Sequence, residues 1–229
     1  MSLALYRNRR FLSRVIRSPQ RRHLFRWLAS RGEGYLLEAP SPWMTFDAID
    51  RIAGHLQDGM RVFEYGSGGS TLFWLRRKVE LVSIEHDPAW FDVVKGKLPV
   101  GGNVDYRLVP PEPFDEANVG KDPADPLAYV SMDEPSRGRT YRAYATQIDA
   151  YPDAHFDVVI VDGRARPCCL WHAAPKVKPG GLLVLDNANR DYYLKSLGQR
   201  LAGFRRERYE GIGPVDAWTS ETDVFVRGG

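Results

Sequence analysis

The chain has little cysteine. Its 229 residues include two, Cys168 and Cys169, and these are neighbours in the sequence. Adjacent cysteines rarely bridge each other, so a disulfide framework is excluded, and zinc held by paired Cys-x-x-Cys motifs is excluded with it. The low cysteine count favours a reducing compartment, and we expect a cytoplasmic protein.

Long hydrophobic runs are also missing. No apolar run approaches the roughly 18–20 residues of a membrane-spanning helix, and the first residues lack the compact apolar core of a secretory signal. Hydrophobic residues make up 43% of the chain and charged residues 27%, which is ordinary for a globular protein with a real core. The length predicts one α/β domain with added segments.

Acidic residues are absent from residues 1–31, which contain nine arginines. The net charge of +3 therefore comes from this segment, because the rest of the chain has more acidic than basic residues. Apolar residues recur at helical spacing on both sides of Pro19, as at Leu12 and Ile16 before it and Leu24 and Leu28 after it. We predict a basic amphipathic helical arm over 1–32 and a main domain over 33–229.

The arm is open to several interpretations. It can pack on its own domain, form a homodimer with a second copy, or lie peripherally on an anionic membrane surface. An acid-free, arginine-rich start also fits an organelle transit peptide. Nucleic acid is disfavoured as a partner because no recognisable binding module follows the arm.

Strands and helices alternate from residue 61 onward. Several of the predicted strands are continuously apolar, which is typical of a mostly parallel sheet covered by helices on both faces. Residues 110–140 interrupt the alternation with six prolines and seven acids and predict a lid-like insertion. Strands are predicted at 61–65, 80–85, 104–109, 156–161, 181–185, 205–209 and 223–226, the last two antiparallel; helices are predicted at 41–58, 70–78, 88–98, 140–151, 167–177 and 191–202.

Ligands of such sheets bind beyond the carboxyl ends of the strands. The first predicted strand ends in the sequence EYGSGGST, whose three glycines let the backbone turn sharply and approach a ligand. A dinucleotide fingerprint requires glycine or alanine where Thr71 stands, and Glu64 would repel a pyrophosphate. The same carboxylate would attract the ammonium group of S-adenosylmethionine. We therefore favour S-adenosylmethionine, with an NAD-dependent oxidoreductase as the alternative.

An acidic residue also ends the second predicted strand. Glu85 follows Gly66 by about 20 residues, the separation at which these folds place a carboxylate that accepts hydrogen bonds from both ribose hydroxyls. Asp87 is expected to cap the following helix.

The segments EYGSGGST, SIEHD, FDVVIVDG and VKPGGLLVLDN resemble those of the Rossmann-like (class I) S-adenosylmethionine-dependent methyltransferases over about residues 41–229. The resemblance implies a seven-stranded sheet with an antiparallel final strand. It also implies that the glycine turn holds the methionine part of the cofactor, that Glu85 binds ribose, and that His86 flanks adenine. Val109 and Pro110 stand where the family often has an acidic or polar residue, so adenine recognition is open. The expected cofactor-binding residues are Glu64, Tyr65, Gly66, Ser67, Gly68, Ser70, Thr71, Glu85 and His86.

Polar residues follow the fourth and fifth predicted strands. The resemblance places Asp162 beside the transferred methyl group, and we expect Asp162 to act as a catalytic acid/base or to orient substrate. Asp162, Asp186 and Asn187 also resemble the divalent-metal site of catechol-type O-methyltransferases, where Mg²⁺ would hold a substrate hydroxyl. Metal-free chemistry is favoured because neutral Asn187 would bind a metal only modestly.

Substrate recognition is assigned to Arg164, Asn187 and Arg190, since arginines at this edge suit a carboxylate, a phosphate or an acidic sugar. No Asn-Pro-Pro-Tyr motif follows the fourth strand, which argues against methylation of bases or amides. The sequence thus predicts S-adenosylmethionine-dependent O-methylation of a small-molecule, sugar or lipid hydroxyl. An aminopropyltransferase of the same fold and a non-catalytic membrane- or partner-binding protein stay open beside the oxidoreductase.

Overall fold

The structure is a computed structural model that describes residues 11–229. Seven strands form one sheet in the order β3-β2-β1-β4-β5-β7-β6. Strands β1 to β5 are parallel, and β7 lies antiparallel between β5 and β6. The predicted mostly parallel sheet with an antiparallel final strand is confirmed. The strands are β1 Arg61–Tyr65, β2 Glu80–Glu85, β3 Val104–Leu108, β4 Phe156–Val161, β5 Val177–Asp186, β6 Phe204–Ile212 and β7 Thr219–Arg227.

Helices cover both faces of this sheet. Alternate side chains of one strand point to opposite faces, so Val158 and Ile160 of β4 enter one apolar cluster while Val159 and Val161 enter the other. The α-helices are α1 Leu24–Ala29, α2 Tyr35–Glu38, α3 Phe46–His55, α4 Gly69–Leu75, α5 Pro88–Lys95, α6 Arg142–Ala145 and α7 Arg166–Ala173.

Two predicted helices depart furthest from the structure. The helix predicted over 41–58 begins at Phe46, because residues 41–45 form a loop that packs against the glycine turn, so Ser41 is not its cap. The helix predicted over 191–202 is a short 3₁₀ turn, Asp191–Tyr193, followed by further turns. Its buried residues Tyr193 and Leu197 have helical spacing, but turns containing Gly198 place them in the core without a helix.

The 110–140 segment is a long loop, as predicted. It contains two 3₁₀ turns, Glu116–Asn118 and Glu134–Ser136. An ion pair connects the loop to the residues that follow β4: Arg164 Nη1 lies 3.2 Å from Asp133 Oδ1.

The described part of the arm packs on its own domain. Residues 11–16 are helical, a 3₁₀ turn follows at Pro19–His23, and α1 comes next. Phe11, Val15 and Trp27 are buried in the same apolar cluster as Phe46 of α3, whereas Ile16 and Leu28 are half-exposed.

Two arginines of the arm pair with acidic residues of α3. Arg22 lies 2.7 Å from Asp47, and Arg26 lies 2.7 Å from Asp50. Residues 1–10, including the start of the predicted arm helix, lie outside the described residues. In the part that is described, no helix has the length and apolar character needed to span a membrane. Contacts of the arm with a membrane surface or a second chain stay predictions.

Candidate functional site

A cavity of about 640 Å³ lies at the carboxyl ends of the parallel strands. It spans the position where the strand order switches between β1 and β4, the place where sheets of this kind bind ligands. Its volume is within the range of cofactor and small-molecule sites. Eleven of the predicted site residues line it: Gly66, Ser67, Gly68, Ser70, Glu85, His86, Asp162, Arg164, Asp186, Asn187 and Arg190.

The glycine turn between β1 and α4 forms one wall of the cavity. Gly66 has a φ of +89°, and a Cβ there would come within 2.9 Å of the Asp162 carbonyl oxygen, so this position requires glycine. A Cβ at Gly69 would overlap the Leu36 carbonyl oxygen and lie 2.6 Å from that of Ser41. The turn therefore lies in tight contact with β4 on one side and with the 36–41 segment on the other.

Glu64 does not reach this cavity. Its side chain is fully buried inside the fold, where Thr71 Oγ1 donates to it at 2.6 Å, Ser83 Oγ at 2.7 Å and the Trp74 indole at 2.9 Å. The Gly68 backbone N–H donates in turn to Thr71 Oγ1 at 3.0 Å. Burial raises the pKa of Glu64 above its ordinary value despite these donors.

Three expected cofactor contacts are thus corrected: Glu64, Tyr65 and Thr71 are absent from the lining of the cavity. The Tyr65 side chain points to the opposite face of the sheet, where its hydroxyl donates to the Ala145 carbonyl oxygen at 2.7 Å. Glu64 holds the glycine turn in place through Thr71 and makes no direct contact with the cavity.

Glu85 is a buried carboxylate at the cavity wall. Its Oε2 accepts from the Ser67 N–H at 3.0 Å and from the Ser67 hydroxyl at 2.9 Å, and its Oε1 accepts from the N–H groups of His86 and Asp87 at 2.7 and 2.9 Å. Burial would raise the pKa of Glu85, but the contacts with His86, Asp87 and Ser67 outweigh it and hold this pKa below the ordinary value. These four donors occupy the acceptor positions of the carboxylate, so a ribose hydroxyl could bind once the Ser67 hydroxyl turns away.

Asp162 lies beside Asp186 at the centre of the cavity floor. Burial and the nearby Asp186 carboxyl raise the pKa of Asp162 well above its ordinary value. The Arg166 guanidinium donates to Asp162 Oδ1 at 2.9 Å and opposes this shift. Asp186 Oδ1 accepts from the Thr222 hydroxyl at 2.7 Å.

The arrangement of Asp162, Asp186 and Asn187 does not support the binding of a divalent metal ion. Arg166 also donates to Asn187 Oδ1 at 3.1 Å and to the Asp186 carbonyl oxygen, so a guanidinium already lies among the three proposed ligands. Within residues 11–229, no three histidine, cysteine, aspartate or glutamate side chains are grouped as metal ligands.

The predicted substrate-binding residues come together on the wall next to Asp162. Arg164 Nε donates to His86 Nε2 at 3.2 Å while its Nη1 pairs with Asp133. Arg190 Nη1 donates to the Tyr193 hydroxyl at 2.8 Å. Both arginines and Asn187 line the cavity.

The opposite wall contains residues that the sequence analysis missed. Trp43, Asp216 and Trp218 line the cavity, and the Trp43 indole donates to Asp216 Oδ2 at 2.6 Å. Burial raises the pKa of Asp216 to about 6. Strand β6 runs parallel to β5, so the residues after it reach the same edge; applying the strand-end rule to the predicted final hairpin would have found Asp216.

Trp90 of α5 lies on the side of the glycine turn. Its indole donates to the Ser67 carbonyl oxygen at 2.9 Å, and its ring would be 3.7 Å from a Cβ at Gly68. The partly exposed aromatic ring is a surface on which a planar base could stack.

Several solved structures have the same architecture. The O-methyltransferase TomG from Streptomyces achromogenes, in complex with SAM, is 16% identical, with a TM-score of 0.51 over 78% of this chain and 77% of that one. Cofactor-bound Rv0187 from MTB is 19% identical, with a TM-score of 0.52 over 90% of each chain. The precorrin 8w decarboxylase from Methanobacterium thermoautotrophicum is 16% identical, with a TM-score of 0.50 over 84% of this chain and 95% of that one.

No protein-family model and no curated protein sequence matches the chain. The structural similarities show the fold alone: the chain shares the α/β architecture of these proteins, one of them an O-methyltransferase in complex with SAM, and this is the architecture that its motifs predicted. The same architecture also occurs in a protein described as a decarboxylase, so the reaction must be argued from the site.

Proposed function

We propose that the protein is an S-adenosylmethionine-dependent methyltransferase that acts on a hydroxyl group of a small-molecule, sugar or lipid acceptor. The observation that carries this proposal is one cavity at the strand switch whose walls combine the glycine turn, ionised Glu85 and the partly exposed carboxyl of Asp162. The fold, shared with an O-methyltransferase solved in complex with SAM, supports the same assignment.

The residues of the cavity fit the cofactor. Glu85 would bind the ribose hydroxyls, His86 and Trp90 offer rings beside the adenine, and the backbone at Gly66 and Gly68 permits close approach of the methionine part. The Glu85 carboxylate, which stays ionised, favours a ligand with a positively charged sulfur. The bound cofactor supplies the chemistry, a methyl group on a sulfonium that a nucleophile can displace.

The acid/base step is assigned to Asp162. A carboxyl whose pKa is raised is, once ionised, a stronger base than an ordinary carboxylate, which suits it to accept the proton of an acceptor hydroxyl. Arg166 fixes the orientation of Asp162 through the 2.9 Å hydrogen bond.

Titration calorimetry tests the cofactor. We expect S-adenosylhomocysteine to bind and NADH not to bind. Glu85→Gln should weaken binding about tenfold, because hydrogen bonds to a charged group contribute about 1.5–3 kcal/mol each. Glu80→Gln, an exposed change on the same strand, is the matched control and should leave affinity unchanged. Binding of NADH in place of the sulfur ligand would refute the proposal.

The assignment of Asp162 has its own test. Asp162→Asn should keep the affinity for S-adenosylhomocysteine and lower the rate of methyl transfer to hydroxyl acceptors by about 100-fold or more, the usual contribution of a general base. Transfer is followed with methyl-labelled S-adenosylmethionine. An unchanged rate would remove Asp162 from the acid/base role and leave the cofactor assignment intact.

A further inference from the structure

A second, smaller pocket opens beside Asp162. It has a volume of about 140 Å³ and shares Gly163, Arg164, Arg166, Asn187 and Arg190 with the large cavity, so the two spaces are adjacent. We call it the arginine pocket, defined by Arg164, Arg166 and Arg190 together with Ser131, Asn187 and Tyr192.

The arginine pocket has an excess of positive charge. Three arginines line it and no aspartate or glutamate does. Guanidinium groups stay protonated at all physiological pH values, so this charge is permanent. A cavity of one charge sign selects ligands of the opposite sign.

The three arginines differ in how far the fold neutralises them. Arg166 is paired with Asp162, and Arg164 is paired with Asp133 at the rim. Arg190 donates to the Tyr193 hydroxyl and has no carboxylate within ion-pair distance among residues 11–229. Arg190 is therefore the cation with the most capacity left for a ligand.

The arginine pocket has the size for one small anionic group. Its volume accommodates one phosphate or carboxylate with a few ordered water molecules and is too small for a nucleotide or a sugar chain. Asn187 accepts from Arg166 through Oδ1, which leaves its NH₂ group as a further donor. Guanidinium forks and amide donors are the groups that bind such oxyanions with directional hydrogen bonds.

We propose that the acceptor carries a compact oxyanion group, a phosphate or a carboxylate, and that the arginine pocket binds this group while a hydroxyl of the same molecule faces Asp162. The proposal rests on the function proposed above. Arg166 contacts both the pocket and Asp162, so the anion and the proton acceptor are separated by one guanidinium group. Binding of the anion in the arginine pocket would thus hold the reacting hydroxyl of the same molecule at a set distance from Asp162.

The experiment uses the full chain saturated with S-adenosylhomocysteine, at constant ionic strength. Three probes of similar shape are titrated: phenyl phosphate, benzoate and uncharged phenol. We expect at least one of the two anions to bind at least about tenfold more tightly than phenol. The better anion identifies the oxyanion class, and equal affinity for phenol and both anions would overturn the proposal.

Arg190→Gln should weaken binding of the anions about tenfold and leave both phenol and S-adenosylhomocysteine unaffected. Arg76→Gln, which removes the same charge from an exposed position outside both cavities, should change none of the four affinities. Unchanged anion binding in Arg190→Gln would exclude the pocket.

Competition between the anions and S-adenosylhomocysteine would also overturn the proposal, since the pocket would then hold the cofactor's own carboxylate. Failure of S-adenosylhomocysteine to bind is a separate result, visible before any anion is added, and it would count against the proposed function itself.

Discussion

Gly68 and Gly69 are adjacent in the turn after β1 but lack a side chain for different reasons. A Cβ at Gly69 would overlap the Leu36 carbonyl oxygen, which is backbone and has little room to move. A Cβ at Gly68 meets Trp90 first, at an ordinary contact distance of 3.7 Å, and Gly68 has an extended φ of 164° that other residues adopt. Gly69 is required for close packing against backbone, whereas Gly68 keeps space open at the cavity wall.

Alanine at each position should separate these two roles. Gly69→Ala should lower the free energy of unfolding by about 3 kcal/mol or more, because it forces a methyl group into packed backbone. Gly68→Ala should change it by less than about 1 kcal/mol and should weaken binding of S-adenosylhomocysteine about tenfold, since its methyl lies at the cavity wall. Urea denaturation and calorimetry measure the two quantities. Equal losses of stability would contradict this distinction.

The orientation of single side chains was the least predictable feature of the site. Motif spacing placed Glu64 and Glu85 correctly at the ends of their strands, but only Glu85 lines the cavity. Glu64 is the next-to-last residue of β1, and its side chain points under α4 toward Trp74. Sequence spacing gives the position along a strand, whereas the direction of a side chain depends on which donors the neighbouring elements supply.

At the level of elements, the arm and the β6–β7 loop support each other. The Val215 N–H donates to Ser30 Oγ at 2.9 Å, and the Trp27 indole donates to the Asp216 carbonyl oxygen. Val215 has a φ of +61°, a left-handed conformation that is strained for a β-branched residue. The arm therefore holds a strained loop that carries Asp216 at the cavity wall.

Ser30→Ala removes the acceptor for the Val215 N–H. We expect the free energy of unfolding to fall by about 1–2 kcal/mol and hydrogen exchange of the Val215 amide to accelerate, because a partly buried donor loses its partner. Ser196→Ala, an exposed position, is the matched control and should have neither effect. An unchanged exchange rate at Val215 would mean that the arm does not restrain the loop.

The elements differ in how well the sequence predicted them. Strand β4 has the predicted bounds because a buried parallel strand is a short, mainly apolar run between turns. The helix predicted at 191–202 failed because two buried side chains at helical spacing satisfy the pattern without a continuous helix. The pairing of Trp27 with residue 216 joins distant parts of the chain, and no local pattern contains that information.

At the level of the whole molecule, carboxyl groups from distant segments converge on one cavity. Asp162 and Asp186 come from the ends of β4 and β5, and Asp216 comes from the last hairpin. Burial raises the pKa of all three. The strand order brings these groups together. The predicted sheet therefore located the site, although the last loop was missed as part of it.

The pH dependence of the free energy of unfolding should report the raised pKa of Asp216. The pKa of Asp216 rises from 3.8 to about 6, so the folded chain binds this proton more tightly than the unfolded chain does. The stability that comes from protonated Asp216 is therefore complete below about pH 4 and is lost as the pH rises through about 6. Asp216→Asn imitates the protonated form and still offers an oxygen to the Trp43 indole.

We therefore expect Asp216→Asn and the unaltered chain to unfold at similar urea concentrations at pH 4.5. The variant should become more stable than the unaltered chain as the pH rises, by on the order of 1–3 kcal/mol at pH 8. Comparing each variant with the unaltered chain at the same pH removes the contribution of the other titrating groups. A difference that stays constant with pH would show that Asp216 has an ordinary pKa and that its carboxyl is solvated in the folded chain.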